Sequence, residues 1–378
     1  MEISLKEDSF DKLSMILSST DMYLPWFKSK EDVNELVRTI FNEKEAQVLV
    51  TLPIRQIPMD LVTLDEIAPN VDLPKEEVHQ ILEKLASKAL LYSGNTKNGQ
   101  KGYSLLRRGY GFKQVFYWKG EKTPEAIKVA EITKRSYGGN LFQAPPPSEN
   151  AKNAVKGYRY LPINKSVDIV KQSVYPYEMM EEVIAKTKKI ALAHCPCRMR
   201  FEITEGQSCG HPLEVCMKFD ELAEFLIKSG LGREINKAEA LDVIRKSDEA
   251  GLVHFVENSK DGIKHNCNCC GCACWNVGPI RKRMIPRDMM MATYFIRETD
   301  TDRCDACSTC VNICPVEAVQ IDGDCSSVDK EWCIGCGVCA PRCPNEAITI
   351  VRRTDVGTPP EDFETLHTQM MEGGFKQY

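Results

Sequence analysis

Two stretches of the chain carry one cysteine spacing. CDACSTCVNICPVEAVQI occupies residues 304–321 and CIGCGVCAPRCPNEAITI residues 333–350. Both read Cys-x2-Cys-x2-Cys-x3-Cys-Pro, followed by Glu-Ala and an apolar run, at a constant offset of 29 residues. Thiolates are soft metal ligands, and a tight x2 turn can present three of them from one loop. Four thiolates converging from different directions are what a cubane iron–sulfur cluster requires. Zinc also takes Cys-x2-Cys pairs, but it does not need three evenly spaced cysteines and a fourth. Pro315 and Pro344 turn the chain away after the last cysteine of each run. Gly335 and Gly337 leave backbone N–H groups free to approach sulfide. Cys325 stands outside the pattern and reads as structural.

This duplication resembles the bacterial two-cluster 4Fe–4S ferredoxin. The resemblance implies that the fourth ligand of each cluster comes from the other repeat. One cluster would then sit on Cys304, Cys307, Cys310 and Cys343, and the other on Cys314, Cys333, Cys336 and Cys339.

Nine further cysteines lie upstream: Cys195 and Cys197 in HCPCR, Cys209 and Cys216 in CGHPLEVC, and Cys267, Cys269, Cys270, Cys272 and Cys274 in HNCNCCGCACW. Thiols this dense are not buried hydrophobes, and neighbouring cysteines are poor disulfide partners. They read as metal ligands. One or two additional 4Fe–4S clusters would use them, and one cluster plus a four-ligand zinc site would use as many. Adjacent Cys269 and Cys270 point in different directions, which suits two centres sharing one loop. Of the six histidines, His194, His211, His254 and His265 fall in this region, and any of them could replace a thiolate. His254 is singled out as a possible ligand or hydrogen-bond partner. The order ALAHCPCR, CGHPLEVC, KSDEAGLVH, CNCCGCAC and then a two-cluster module resembles a group of multi-cluster 4Fe–4S ferredoxin-type proteins of anaerobic bacteria. That group carries a further cysteine where this chain has Ala273. The resemblance implies electron transfer, with no defined substrate.

The elements that must position these residues suggest an α+β chain of several domains. Its 378 residues suit two or three domains, and its net charge of −5 creates no basic field for nucleic acid. Residues 1–120 are read as leading helices and a winged-helix-like domain. The sequence there runs helix, short helix opened by Thr63 and Glu66, amphipathic helix with Val78, Ile81, Leu82 and Leu85 on one face, then a Gly/Asn hairpin. The pattern resembles a winged helix-turn-helix. Its third helix opens with Glu76 and Glu77, which argues against DNA, while Lys97, Lys101, Arg107 and Arg108 are basic. Phe112, Phe116, Tyr117 and Trp118 read as core. Residues 121–165, with Pro145–Pro147, read as a linker or extended arm. Residues 166–290 form a small Cys-rich α/β iron–sulfur domain, 291–352 the two-cluster ferredoxin domain, and 353–378 a tail that wraps a neighbour or lies loose.

No signal peptide or spanning segment is evident, so the expectation is a cytoplasmic chain with thiolates on metal. Lacking a nucleotide-binding glycine motif, it would need a redox partner, either a flavoprotein or a catalytic oxidoreductase subunit. The expected role is an electron carrier or subunit of an anaerobic oxidoreductase complex. The alternatives are a redox- or iron-sensing regulator, and a reductase with a substrate-binding cluster in the Cys-rich domain.

Overall fold

The computed structural model describes residues 8–19, 30–53, 57–107, 110–138, 154–163, 166, 178–289 and 291–372. Arg108 and Pro145–Pro147 lie outside the described residues. The chain opens with helices α1 (Ser9–Ser19), α2 (Lys30–Ile40) and α3 (Glu43–Leu49). Asn42 and Glu45 close a reciprocal capping box at the start of α3. Strand β1 (Val62–Thr63), α4 (Leu64–Ile67), α5 (Lys75–Ser87), β2 (Tyr92–Asn95) and β3 (Lys101–Ser104) follow. The strands form an antiparallel sheet in the order β1-β3-β2. Val78, Leu82 and Leu85, spaced i, i+4 and i+7, bury the inner face of α5 completely.

The stretch expected as an arm is partly built into the fold. Residues 124–138 form α6 (Pro124–Gly138), and residues 158–161 form β4 (Tyr158–Leu161). Ala126, Val129, Ala130 and Ile132 recur at helical spacing and are buried, which is why α6 packs against α2 instead of extending into solvent.

The Cys-rich region adds α7 (Met180–Lys186), β5 (Ile190–His194), α8 (Pro196–Glu205), β6 (Glu214–Phe219), α9 (Asp220–Lys228), β7 (Arg233–Ile235), α10 (Lys237–Glu249), β8 (Val253–Glu257), β9 (His265–Cys269) and α11 (Val277–Arg281). With β4 these strands make one six-stranded sheet, β4-β8-β9-β6-β5-β7, antiparallel at every pairing. Alternate residues face opposite sides of the pleat. On one side Tyr160, Ala191, Ala193, Cys216, Phe255 and Cys269 join a core that includes α5 and Val338 of the C-terminal third. On the other side Ile190, Leu192, Val215, Met217 and Val256 meet Val183 and Ile184 of α7 and Val243 and Ile244 of α10. The sheet is therefore an inner wall with a packed core on each face.

The last third holds β10 (Phe295–Thr299), α12 (Thr309–Ile313), β11 (Val319–Asp322), β12 (Cys325–Val328) and β13 (Ile348–Arg352). Strand β10 pairs with β13 and β11 with β12, both antiparallel. This unit docks on the sheet through backbone bonds. Ile163 N–H donates to the Cys336 carbonyl at 3.1 Å, and Ala292 N–H to the Tyr158 carbonyl at 2.8 Å. Arg342 donates to the Asp248 and Glu249 carbonyls at the end of α10, a favourable place for a cation.

The described part of the tail is not loose. Helix α13 (Phe363–Met370) buries Phe363, Leu366, His367 and Met370, and His367 Nε2 lies 3.1 Å from the Tyr110 hydroxyl. Apolar spacing of i, i+3 and i+7 explains the docking. No helix among the described residues is long and apolar enough to cross a membrane.

Candidate metal centres

In the C-terminal unit Cys304, Cys307, Cys310 and Cys343 line one small pocket. Cys314 lies instead with Cys333, Cys336 and Cys339, each near enough for its charge to bear on the others. The last cysteine of each run thus sits with the first three of the other. Burial pushes the Cys336 thiol well above its ordinary value and the Cys339 thiol up to about 12, with the Arg297 charge opposing the latter. Such buried sulfurs carry negative charge only with compensation. Backbone N–H groups give such compensation to other sulfurs of the two sets: Ala318 donates to Cys314 Sγ and Ala347 to Cys343 Sγ, both at 3.3 Å, and Ser326 donates to Cys304 Sγ at 3.4 Å. Arg297 supplies more. It is 1% exposed, and its Nη2 lies 3.6 Å from Cys310 Sγ and 2.5 Å from Ser326 Oγ.

The cysteine loops repeat in conformation as well as in sequence. Gly335 and Gly337 have φ of +62° and +74°, and their counterparts Ala306 and Ser308 hold +54° and +65°. A left-handed turn is therefore required at these positions, even where a side chain makes it cost about 1–2 kcal/mol. It lets the chain wrap round a point, bringing successive cysteines inward.

The second cysteine set divides between the two faces of the six-stranded sheet. Cys195, Cys197, Cys216, Cys267, Cys269 and Cys274 line a cavity of about 730 Å³, including its open mouth. Strand register explains much of this. Met217 opposes Asn266, so Cys216 and Cys267 are neighbours on one face, and Cys269 follows at i+2 on the same side. Lys113, Trp118, Lys218, His265 and Trp275 complete the wall. Lys113 Nζ sits 4.3 Å from the centre of the Trp275 ring, and Lys218 Nζ 5.6 Å from that of Trp118. Burial opposes the charge on Lys218, but the Cys216 and Cys267 thiolates outweigh it and raise its pKa. A cavity lined by thiols and buried cations suits an anionic metal–thiolate centre.

Cys270, one residue past Cys269, falls to the opposite face of the sheet. There it meets Cys209, His211 and Cys272, with one ligand atom from each of the four within 4.8 Å of the others. His254 belongs to neither group. Its Nδ1 lies 2.6 Å from Asn268 Oδ1 and its Nε2 2.5 Å from Asp248 Oδ1, so both ring nitrogens are engaged. Through Asn268 it braces the strand between Cys267 and Cys269. His194 lies against the Trp118 carbonyl, and His265 Nδ1 is 2.6 Å from Glu257 in a fully buried pair. Cys325 Sγ contacts the Ser326 carbonyl, beside Cys304.

Residues 298–320 and 327–349 match the 4Fe-4S binding domain family. No curated protein and no solved structure matches the chain. The family brings iron–sulfur electron-transfer capacity to the C-terminal unit, and the residues present fit its cofactor. The thiols converge, backbone N–H groups point at three of them, and Arg297 keeps Nε and Nη1 buried with no acceptor among the described residues. Sulfide of a bound cluster would give these nitrogens an acceptor.

Several site residues escape a reading by cysteine spacing. Lys113 and Trp118 arrive from a loop far upstream of the first cysteine, whereas Lys218 sits two residues after Cys216 and so shares its face. Arg297 precedes Cys304 on β10, with nothing in the motif to mark it. Fully buried Tyr160 is close enough to Cys274, Cys269 and Cys336 for all three to influence it, although burial itself does most to raise its hydroxyl.

Proposed function

We propose that the protein is a multi-cluster iron–sulfur electron carrier, or the electron-transfer subunit of an anaerobic oxidoreductase complex. Single low-potential electrons would pass between a flavoprotein and a catalytic partner. The observation that carries this reading is Tyr160, which lies in one core with Cys269 and Cys274 of the cavity and with Cys333 and Cys336 of the ferredoxin module. A cubane, when bound, takes up and releases one electron. Four of the six cavity cysteines would hold a third cubane. Lys113 and Lys218 would offset its charge, and Trp118 and Trp275 would keep water from it. Arg297 sits between the two ferredoxin sites, touching Cys310 and influencing Cys339, and would favour the reduced state of both.

We take the N-terminal unit as winged-helix-like and as a dock for a protein partner. Four of its lysines are paired within the unit, both lysines of α5 among them: Lys75 with Asp65 and Lys44 with Glu77 at 2.5 Å, Lys101 with Glu83 at 2.6 Å, and Lys84 with Glu45 at 2.8 Å. That leaves α5 without the basic stripe that a DNA-reading helix presents. Metal analysis of protein purified under anoxic conditions tests the relay. Three cubanes correspond to about 12 iron atoms per chain. A value near 8 would restrict electron transfer to the ferredoxin module and refute the relay.

A further inference from the structure

We infer that Cys209, His211, Cys270 and Cys272 form a mononuclear zinc site, separate from every iron–sulfur position. The four ligand atoms lie within 4.8 Å of one another, and Cys272 Sγ is 3.7 Å from His211 Nδ1. A tetrahedron built from Zn–S and Zn–N bonds has edges of about 3.5–3.8 Å. The Cys272–His211 pair meets that spacing, and the 4.8 Å limit on the whole group leaves the other donors close enough to converge on one ion. A cubane binds each thiolate to a different iron and holds them farther apart, so this group is too tight for one. Three thiolates and one imidazole are also a regular structural zinc set. The Ala273 N–H, 3.4 Å from Cys270 Sγ, stabilises the charged form of that sulfur.

The location indicates what the ion would do. Cys209 and His211 lie in the loop between α8 and β6, while Cys270 and Cys272 lie in the loop after β9. These loops lead into Cys216 on one side and out of Cys269 on the other, and both of those thiols line the cavity. A zinc ion would tie the loops together on the outer face and so fix the cysteines on the inner face. Its role would be to position them, not to transfer electrons. The inference does not depend on the relay, because it concerns the face of the sheet away from the cavity.

Full-length protein purified under anoxic conditions is to be analysed for zinc and iron together. The expected result is about one zinc per chain. Cys209→Ala paired with Cys272→Ala should lower zinc at least about tenfold while the ferredoxin iron remains. Should that variant fold poorly, His211→Cys provides the second test. It should keep one metal ion, and on Co2+ substitution its thiolate-to-cobalt absorption should strengthen relative to wild type, with tetrahedral ligand-field bands in both. Wild-type protein without zinc, iron in place of zinc at this site, or a cobalt spectrum unmoved by His211→Cys would each overturn the inference. Loss of the third cluster's iron with zinc retained would instead count against the relay alone, leaving the zinc site supported.

Discussion

Replacing Arg297 with methionine removes a buried charge while keeping most of the side-chain stem. The guanidinium reaches 3.6 Å from Cys310 Sγ. An electron added to a cluster held by these thiols would be spread over it, at a separation taken as roughly 6–7 Å from that charge. With an effective dielectric constant of about 20, the interaction is about 2.5 kcal/mol. For a one-electron couple this corresponds to about 110 mV. The positive charge favours the more negative, reduced state, so Arg297→Met should lower the potential of the cluster on Cys304, Cys307, Cys310 and Cys343 by about 100 mV. A smaller fall is expected for the other cluster, because Arg297 also acts on Cys339. Arg297→Lys keeps the charge and should retain most of the wild-type potential, separating electrostatics from loss of the Ser326 hydrogen bond. Dye-mediated titration followed by electron paramagnetic resonance reads both couples under anoxic conditions. A shift in Arg297→Met below about 30 mV, or an upward one, would refute the reasoning.

Two more predictions concern how the units hold together. A Cβ on Gly271 would meet the Pro315 carbonyl oxygen at 2.0 Å, so Gly271→Ala forces the Cys-rich loop off the ferredoxin unit. It should cost about 1–3 kcal/mol, read as a lower urea midpoint under anoxic conditions, and an unchanged midpoint would disprove the contact. Burial, assisted by the Arg107 charge, depresses the His367 pKa to about 3, against about 6.5 for a free histidine. The docked helix therefore favours neutral His367, and its docking is strongest above about pH 6.5. As pH falls from there toward 3, docking should weaken by about 1.4 kcal/mol per unit. Proteolysis of the C-terminal segment should rise about tenfold at pH 5.5. His367→Gln, which does not titrate, should abolish that rise; persistence of the rise would place the pH sensitivity elsewhere.

The most legible parts of the sequence were those in which spacing alone expresses geometry. The duplicated cysteine run is one, since a 29-residue offset and three evenly spaced thiols leave few arrangements open. The inner face of α5 is another, because Val78, Leu82 and Leu85 repeat at helical spacing. What spacing does not express is which distant segment closes a site. Lys113 and Trp118 read as part of an aromatic stretch, and only the packing of the N-terminal unit on the sheet brings them to the cavity. Histidine roles were similarly hidden. His254 lies on a buried strand and is held by Asn268 and Asp248, whereas His211 sits in an irregular loop beside Cys209 and meets the thiols. Helices α6 and α13 were obscured by their polar neighbours, though the apolar spacing of each is present in the chain.

The side change between Cys269 and Cys270 bears on how the chain finds its fold. A slip of β9 by one residue against β8 or β6 would turn every side chain of the strand to the wrong face. Cys270 would enter the cavity and Cys269 would leave it, and neither proposed ligand set would be complete. Hydrophobic patterning discriminates weakly here, because β9 reads His-Asn-Cys-Asn-Cys and carries no large apolar residue. Buried polar pairs specify the alignment instead, Asn268 with His254 and His265 with Glu257, and the proposed metals would add to it. Metals delivered to both faces would proofread the pairing of this strand, retaining the aligned chain and leaving a misaligned one exposed to oxidation and degradation.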